Sequence, residues 1–190
     1  MSLTDQAKQI LLQEARKALE ARVRGQDLPA LELDRYPRAL RRPGACFVTL
    51  TTGGELRGCV GSIEARQPLV IEVRKRAVGA AVQDFRFPPL REDELGDIKI
   101  EISCLSPLRS FPYRQAQELL DHIQPGTHGV VLSWQGRKGT FLPQVWKKIP
   151  STEEFLARLC VKMGLDENQW RKKGMQVYVY RVDAFQEGQL

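Results

Sequence analysis

Near the start of the chain Ala7, Leu11, Ala15, Ala18, Leu19 and Val23 recur at helical spacing and form one apolar stripe. Thr4 precedes them as an N-cap, Asp5 lies in the first turn and Gly25 follows as a stop, so the pattern predicts a helix over residues 5–24. A polar, proline-punctuated passage runs from Gln26 to Pro43. Two β-rich runs follow, Cys46–Thr52 and Glu55–Ile63, joined by Gly53-Gly54 as a hairpin. A two-residue loop there predicts Val48 opposite Cys59 and Leu50 opposite Arg57.

Pro68 opens a second helix with Leu69, Val73, Ala77, Ala80 and Ala81 on its stripe and Arg74, Lys75 and Arg76 largely off it, ending near Asp84. Ile98–Leu105 alternates apolar with polar as far as Ser103, the period of a strand covered on one face, and Pro107 stops it. A short helix is expected from Ala116 to Ile123. A second hairpin, Gly129–Trp134 and Gly139–Leu142, is expected around Gln135-Gly-Arg-Lys138. Ser151-x-x-Glu154 is a capping box ahead of Phe155, Leu156, Leu159, Cys160 and Met163, with Gly164 as the stop. Met175–Val182 closes the chain as a strand. Hairpins and helices mix without regular strand-helix alternation, which predicts an α+β fold with mainly antiparallel sheet and packed helices.

The 190 residues suffice for one domain or two small subdomains, and no apolar run is long enough to span a bilayer. Met1-Ser2-Leu3-Thr4-Asp5 has neither a basic start nor an apolar signal core, so a cytoplasmic protein is expected. Cys46, Cys59, Cys104 and Cys160 are far apart, without a Cys-x-x-Cys pair, which suits reduced thiols and gives no metal site. The net charge of +6 permits an anionic partner without demanding one. No Gly-Lys-Ser/Thr phosphate loop, dinucleotide glycine fingerprint or His-Glu-x-x-His is present.

The segment richest in chemistry is Leu56-Arg57-Gly58-Cys59-Val60-Gly61, where a thiol between two glycines leaves room for close approach of a ligand. Strand alternation puts Arg57 and Cys59 on one face, and the guanidinium would favour the thiolate. The competing reading makes Cys59 a small core residue. Asp84 and Arg86 flank Phe85 at the end of the second helix, as a site pair or as a structural ion pair. Glu64 would serve Cys59 as a base only if the chain turned back. His128, in the loop Gly126-Thr-His-Gly129, would complete a Cys/His arrangement, against the alternative of a solvated loop histidine. Cys160 lies on a helix stripe and is expected in the core. Basic groups at Arg41-Arg42, Arg74–Arg76, Arg137-Lys138, Lys147-Lys148 and Arg171–Lys173, the last three near Trp134, Trp146 and Trp170, are either solvated faces or an RNA surface.

Four segments in order, Leu56–Gly61, Asp84–Pro89, Gly139–Val145 and Arg158–Leu165, resemble those of the AMMECR domain family, whose prokaryotic members are called AmmeMemoRadiSam system protein A. The resemblance extends from about Gln6 to Phe185. Val60 stands where isoleucine is commoner, and Phe85 where the family usually has proline. The resemblance implies a single domain over residues 1–190, built of two interlocked subdomains with a crevice between them lined by the glycine-cysteine motif. It also implies association with Memo-type and radical S-adenosylmethionine proteins, but it supplies no established reaction and does not identify a cofactor. The resulting expectation is a small-substrate crevice centred on Arg57, Gly58, Cys59 and Gly61, with Asp84 and Arg86 as further ligand groups and His128 as a catalytic partner of Cys59. A non-catalytic adaptor that holds a protein segment and an RNA-binding module are the alternatives.

Overall fold

The computed structural model describes residues 3–189 and divides into two compact units. One comprises the chain up to Leu105 together with the stretch from Asp183 on; the other is Ser106–Val182. The helices are α1 (Asp5–Val23), α2 (Arg38–Arg41), α3 (Leu69–Val82), α4 (Ala116–His122) and α5 (Thr152–Lys162). The strands are β1 (Ala45–Thr52), β2 (Glu55–Gly61), β3 (Ile98–Leu105), β4 (Arg109–Ser110), β5 (Gly129–Trp134), β6 (Arg137–Phe141), β7 (Gln176–Tyr180) and β8 (Val182–Gln186). They form two four-stranded sheets, ordered β2-β1-β3-β8 and β4-β7-β5-β6, so the expected α+β class is the observed one.

In the first unit α1 and α3 pack on each other and cover one face of the sheet. Leu11, Ala15 and Leu19 of α1 meet Val70, Val73 and Ala77 of α3 over Val48, Leu50, Ile100 and Ile102. Thr4 caps α1 as expected, its hydroxyl accepting the amide of Ala7 at 3.3 Å. Two carboxylates lie buried beside this core. Glu14 takes the Arg74 Nε at 2.7 Å, and Glu72 takes the Arg76 Nε at 2.6 Å. The arginines off the α3 stripe are therefore committed to partners, which hydropathy spacing alone does not reveal.

In the second unit α4 and α5 help to build a separate core of Leu119, Leu132, Trp146, Phe155, Leu159, Cys160 and Trp170. Trp146 stacks flat on Phe155 at 3.7 Å. The Ser151 hydroxyl accepts the Glu154 amide at the start of α5, and Cys160 is fully buried, both as the sequence predicts.

Three expectations need correction. The second hairpin turns on Gln135 and Gly136 alone, both at positive φ, so that Trp134 pairs with Arg137. The left-handed backbone of a tight turn outweighs the polar character of Arg137 and Lys138. The closing strand is two strands in different sheets, β7 and β8, parted at Arg181. There Ser106 donates its amide to the Arg181 carbonyl and accepts the Arg181 amide on its hydroxyl. In the first hairpin the register slips between Leu50 and Thr51, which places Leu50 opposite Gly58, Thr49 opposite Cys59 and Val48 opposite Val60. Arg57 is the extra, bulged residue, and the bulge breaks the alternation that would have put Arg57 and Cys59 on one face.

The slip brings β2 hard against α3. A Cβ on Gly58 would stand 2.2 Å from the Ala80 carbonyl oxygen, and one on Gly79 would stand 3.1 Å from Val60. Gly58→Ala is expected to force the strand off the helix and cost about 1–3 kcal/mol. Gly96→Ala, with open space around it, is the control and should lie within about 0.5 kcal/mol of wild type. Urea denaturation midpoints measure both.

Candidate ligand site on the first sheet

β2 is an edge strand, so every second amide along it points away from β1 and requires another acceptor. At Cys59 that acceptor is Asp84, whose Oδ2 lies 2.8 Å from the amide nitrogen. Asp84 is buried and is held in turn by Arg86, with Nε to Oδ1 at 2.9 Å and Nη2 to Oδ2 at 2.6 Å. The two residues the sequence singles out around Phe85 thus form a bidentate pair that latches the loop after α3 onto the glycine-cysteine strand. The Arg86 guanidinium, helped by the amides of Cys59 and Arg86 and opposed by burial, holds the Asp84 carboxyl well below the usual carboxylate range.

Arg57 forms a second latch. Its Nε and Nη2 reach Glu94 at 2.7 and 3.1 Å, and its Nη1 donates to the Pro88 carbonyl at 3.0 Å. Its guanidinium is committed to this loop, and the positive charge bearing on the Cys59 thiol is that of Arg86. Burial pushes the thiol up from its ordinary value; the Thr49 hydroxyl and Arg86 oppose this, while Asp84 and Glu101 add to it. A thiol so placed is protonated at neutral pH, a donor and soft contact more than a ready thiolate.

Cys59 still differs from the other three cysteines, which are buried. It is half-buried on the sheet face away from α3, where the Thr49 hydroxyl donates to its Sγ at 3.4 Å. The register carries the row one strand further, because Thr49 also pairs with Glu101 of β3. The Glu101 carboxylate is half-buried and has no partner among the described residues. A thiol, a hydroxyl and an unpaired carboxylate therefore lie on neighbouring strands in one cross-strand row. Phe47 borders it, its ring filling the space a side chain at Gly61 would need, 2.2 Å from the ideal Cβ. Gly58 and Gly61 thus each have a packing role, one toward the helix and one toward Phe47.

Thr49 and Glu101 were missed by sequence reasoning. The signal available was the alternation Ile98-Lys-Ile-Glu-Ile, which sets Lys99 and Glu101 on the polar face, but only the register joins Glu101 to Cys59. His128 belongs to the second unit, where it is buried and not solvated. Its Nδ1 accepts the Gln124 amide at 3.2 Å, its carbonyl accepts the Trp146 indole at 2.7 Å, and burial lowers its pKa. Glu64 pairs with Arg66. Among the described residues no group of three or more His, Cys, Asp or Glu gathers as a metal site, and no helix is long and apolar enough to cross a membrane.

The Asp84 latch predicts a pH signature. A carboxyl depressed on folding stabilises fully above its unfolded pKa of about 3.9, and that contribution fades as pH falls toward the folded value. Asp84→Asn, which keeps an acceptor for the Cys59 amide, should be less stable than wild type at pH 7, with the gap closing below about pH 4. Asp84→Ala leaves the amide without its acceptor and should cost a further ~1–3 kcal/mol at pH 7. Chemical denaturation across pH measures both.

The sequence and fold both have relatives. The AMMECR1 family profile matches residues 12–185. Protein MJ0810 of Methanocaldococcus jannaschii is 34% identical over 162 residues, covering 82% of this chain and 79% of the relative. Protein MK0488 of Methanopyrus kandleri is 38% identical over 149 residues, covering 74% and 70%. The crystal structure of protein PH0010 from Pyrococcus horikoshii superposes with a TM-score of 0.90 at 30% identity, covering 99% of this chain and 95% of that one. With the profile running from α1 to β8 and whole-chain likeness to a solved relative, the chain belongs to the AMMECR1 family.

Proposed function

We propose that the protein binds a small molecule on the outer face of its first sheet, at the row Cys59, Thr49 and Glu101, within a pathway shared with Memo-type and radical S-adenosylmethionine proteins. The observation that carries this is the unpaired Glu101 carboxylate, two strands across the sheet from a half-buried thiol and next to the Thr49 hydroxyl that engages it. The row offers a ligand a negative charge, a hydroxyl and a protonated thiol, so it favours a cationic or donor-rich polar molecule with a soft or apolar part against Phe47. Glu101 is the group able to exchange a proton with a bound substrate. Asp84, Arg86 and Arg57 act as positioning residues that fix the strand bearing Cys59.

Native mass spectrometry of freshly purified protein tests the reading. A retained small molecule is expected, and it should be lost in both Glu101→Gln and Cys59→Ser while their melting temperatures stay near wild type. Retention in both variants would refute the site. Timed iodoacetamide labelling gives a second measure. Cys59 should react in the native state ahead of Cys46, Cys104 and Cys160, with a pH midpoint above the ordinary thiol value of about 8.5. Arg86→Ala should raise that midpoint further and Arg57→Ala should leave it unmoved.

One observation favours the adaptor reading: Phe85 is 97% exposed at the tip of the loop that Asp84 and Arg86 hold rigid. An aromatic side chain standing in solvent on an anchored loop is an anchor for a partner's pocket. If the adaptor reading holds, the protein should co-elute with its Memo-type partner on a sizing column, and Phe85→Ala should abolish co-elution without lowering the melting temperature. Unchanged co-elution would remove Phe85 from the interface.

A further inference from the structure

We propose that the second unit carries a nucleotide-binding pocket, in which Tyr113 and Tyr178 take a planar base and Arg114, Lys173 and Arg171 take its phosphate. This pocket is separate in residues and in ligand chemistry from the row around Cys59.

The cavity measures ≈ 730 Å³, and a pocket of roughly 300–1,000 Å³ suits a small-molecule ligand. Its charge has one sign. Three cations line it and no carboxylate does, in a chain where most arginines face an acidic partner. The Arg114 guanidinium and the Lys173 ammonium are exposed and have no partner among the described residues. Arg171 is partly neutralised by Glu153 at 3.2 Å and lies over the Trp170 ring at 4.2 Å, which fixes its guanidinium plane. By contrast Arg74 and Arg76 of α3, equally prominent in the sequence, are bound to Glu14 and Glu72.

Charge alone would suit any anion; the aromatic walls narrow the choice. Tyr113 is half-buried, its hydroxyl donating to the Trp170 carbonyl at 3.1 Å, so the ring is held in place. Tyr178 is half-buried on β7, its hydroxyl tied to Gln176 Oε1 at 3.3 Å. Two anchored aromatic rings beside free cations match a ligand with both a π-face and a phosphate. An acidic protein segment would use the cations and leave the rings without a role. Gln176, also in the lining, adds a side-chain amide able to pair with a base edge. Free nucleotides and single-stranded nucleic acid share this chemistry, and the experiment separates them.

Anisotropy with fluorescein-labelled decauridylate, and calorimetry with uridine monophosphate, are run on the full chain at about 50 mM salt and again at about 200 mM. Arg114→Glu/Lys173→Glu should weaken oligonucleotide binding at least ~10-fold and reduce the slope of log affinity against log salt by about 1.4, two phosphate contacts' worth for a single strand. Tyr178→Ala should weaken binding about 10-fold with the slope unchanged, because stacking releases no counterions. Lys75→Glu, which reverses an exposed charge of the first unit, should change neither. Binding of uridine monophosphate in competition with the oligonucleotide identifies a free nucleotide as sufficient, whereas binding of decauridylate alone identifies a strand. Absence of binding at low salt, wild-type affinity in the double variant or in Tyr178→Ala, or equal displacement by polyglutamate would each overturn the assignment. Matched melting curves establish that the variants are folded.

Discussion

The Cys59 amide points outward from the edge of the first sheet, and the Asp84 carboxylate that accepts it decides what the rest of the site can be. An edge strand needs its outward amides covered, and here the cover is a side chain from the loop that leaves α3. Asp84 can lie there because β2 runs directly against α3, and β2 can run there because Gly58 has no Cβ to meet the Ala80 carbonyl. Arg86 then satisfies a carboxylate that burial would otherwise penalise. Hydrogen bonding, close packing and charge thus support one another within a few residues of the thiol.

The bulge at Arg57 divides the motif into two tasks. By adding one residue to β2 it frees the Arg57 guanidinium for Glu94 and the Pro88 carbonyl, so that the loop is held at two places. The same slip moves Cys59 opposite Thr49 and gives the thiol a hydroxyl where the unslipped register would have given it Val48. A motif that reads as a guanidinium beside a thiolate is, in the folded chain, a clamp next to a protonated thiol. The free charge near the thiol is the Glu101 carboxylate, contributed from across the sheet.

The two units handle charge differently. In the first, arginines on α3 are drawn onto buried glutamates, where an unpaired carboxylate would carry a heavy desolvation cost. In the second, Arg114 and Lys173 stay in solvent with no side-chain partner among the described residues, beside tyrosines whose hydroxyls are already engaged. Net charge is a property of the whole chain and does not distinguish these cases.

Local chemistry was readable from the sequence: the Thr4 and Ser151 caps, the stripes of α1 and α5, the first hairpin's glycine turn and the α+β class all follow from interactions between residues a few positions apart. The Asp84–Arg86 pair was visible too, since two residues suffice to make it. What the sequence could not decide was anything that depends on register or on contacts across the chain. One bulged residue at Arg57 exchanged Val48 for Thr49 as the neighbour of Cys59. A residue on β3, 42 positions on, supplied the site's carboxylate, and Arg114 joined Lys173 only where the fold brings β4 beside β7. Side-chain period fixes which residues share a face only while alternation is unbroken, and a single inserted residue reassigns every neighbour beyond it. Pairing of strands distant in sequence is set by the core beneath them, so the tertiary structure alone determined which polar groups meet on its outer face.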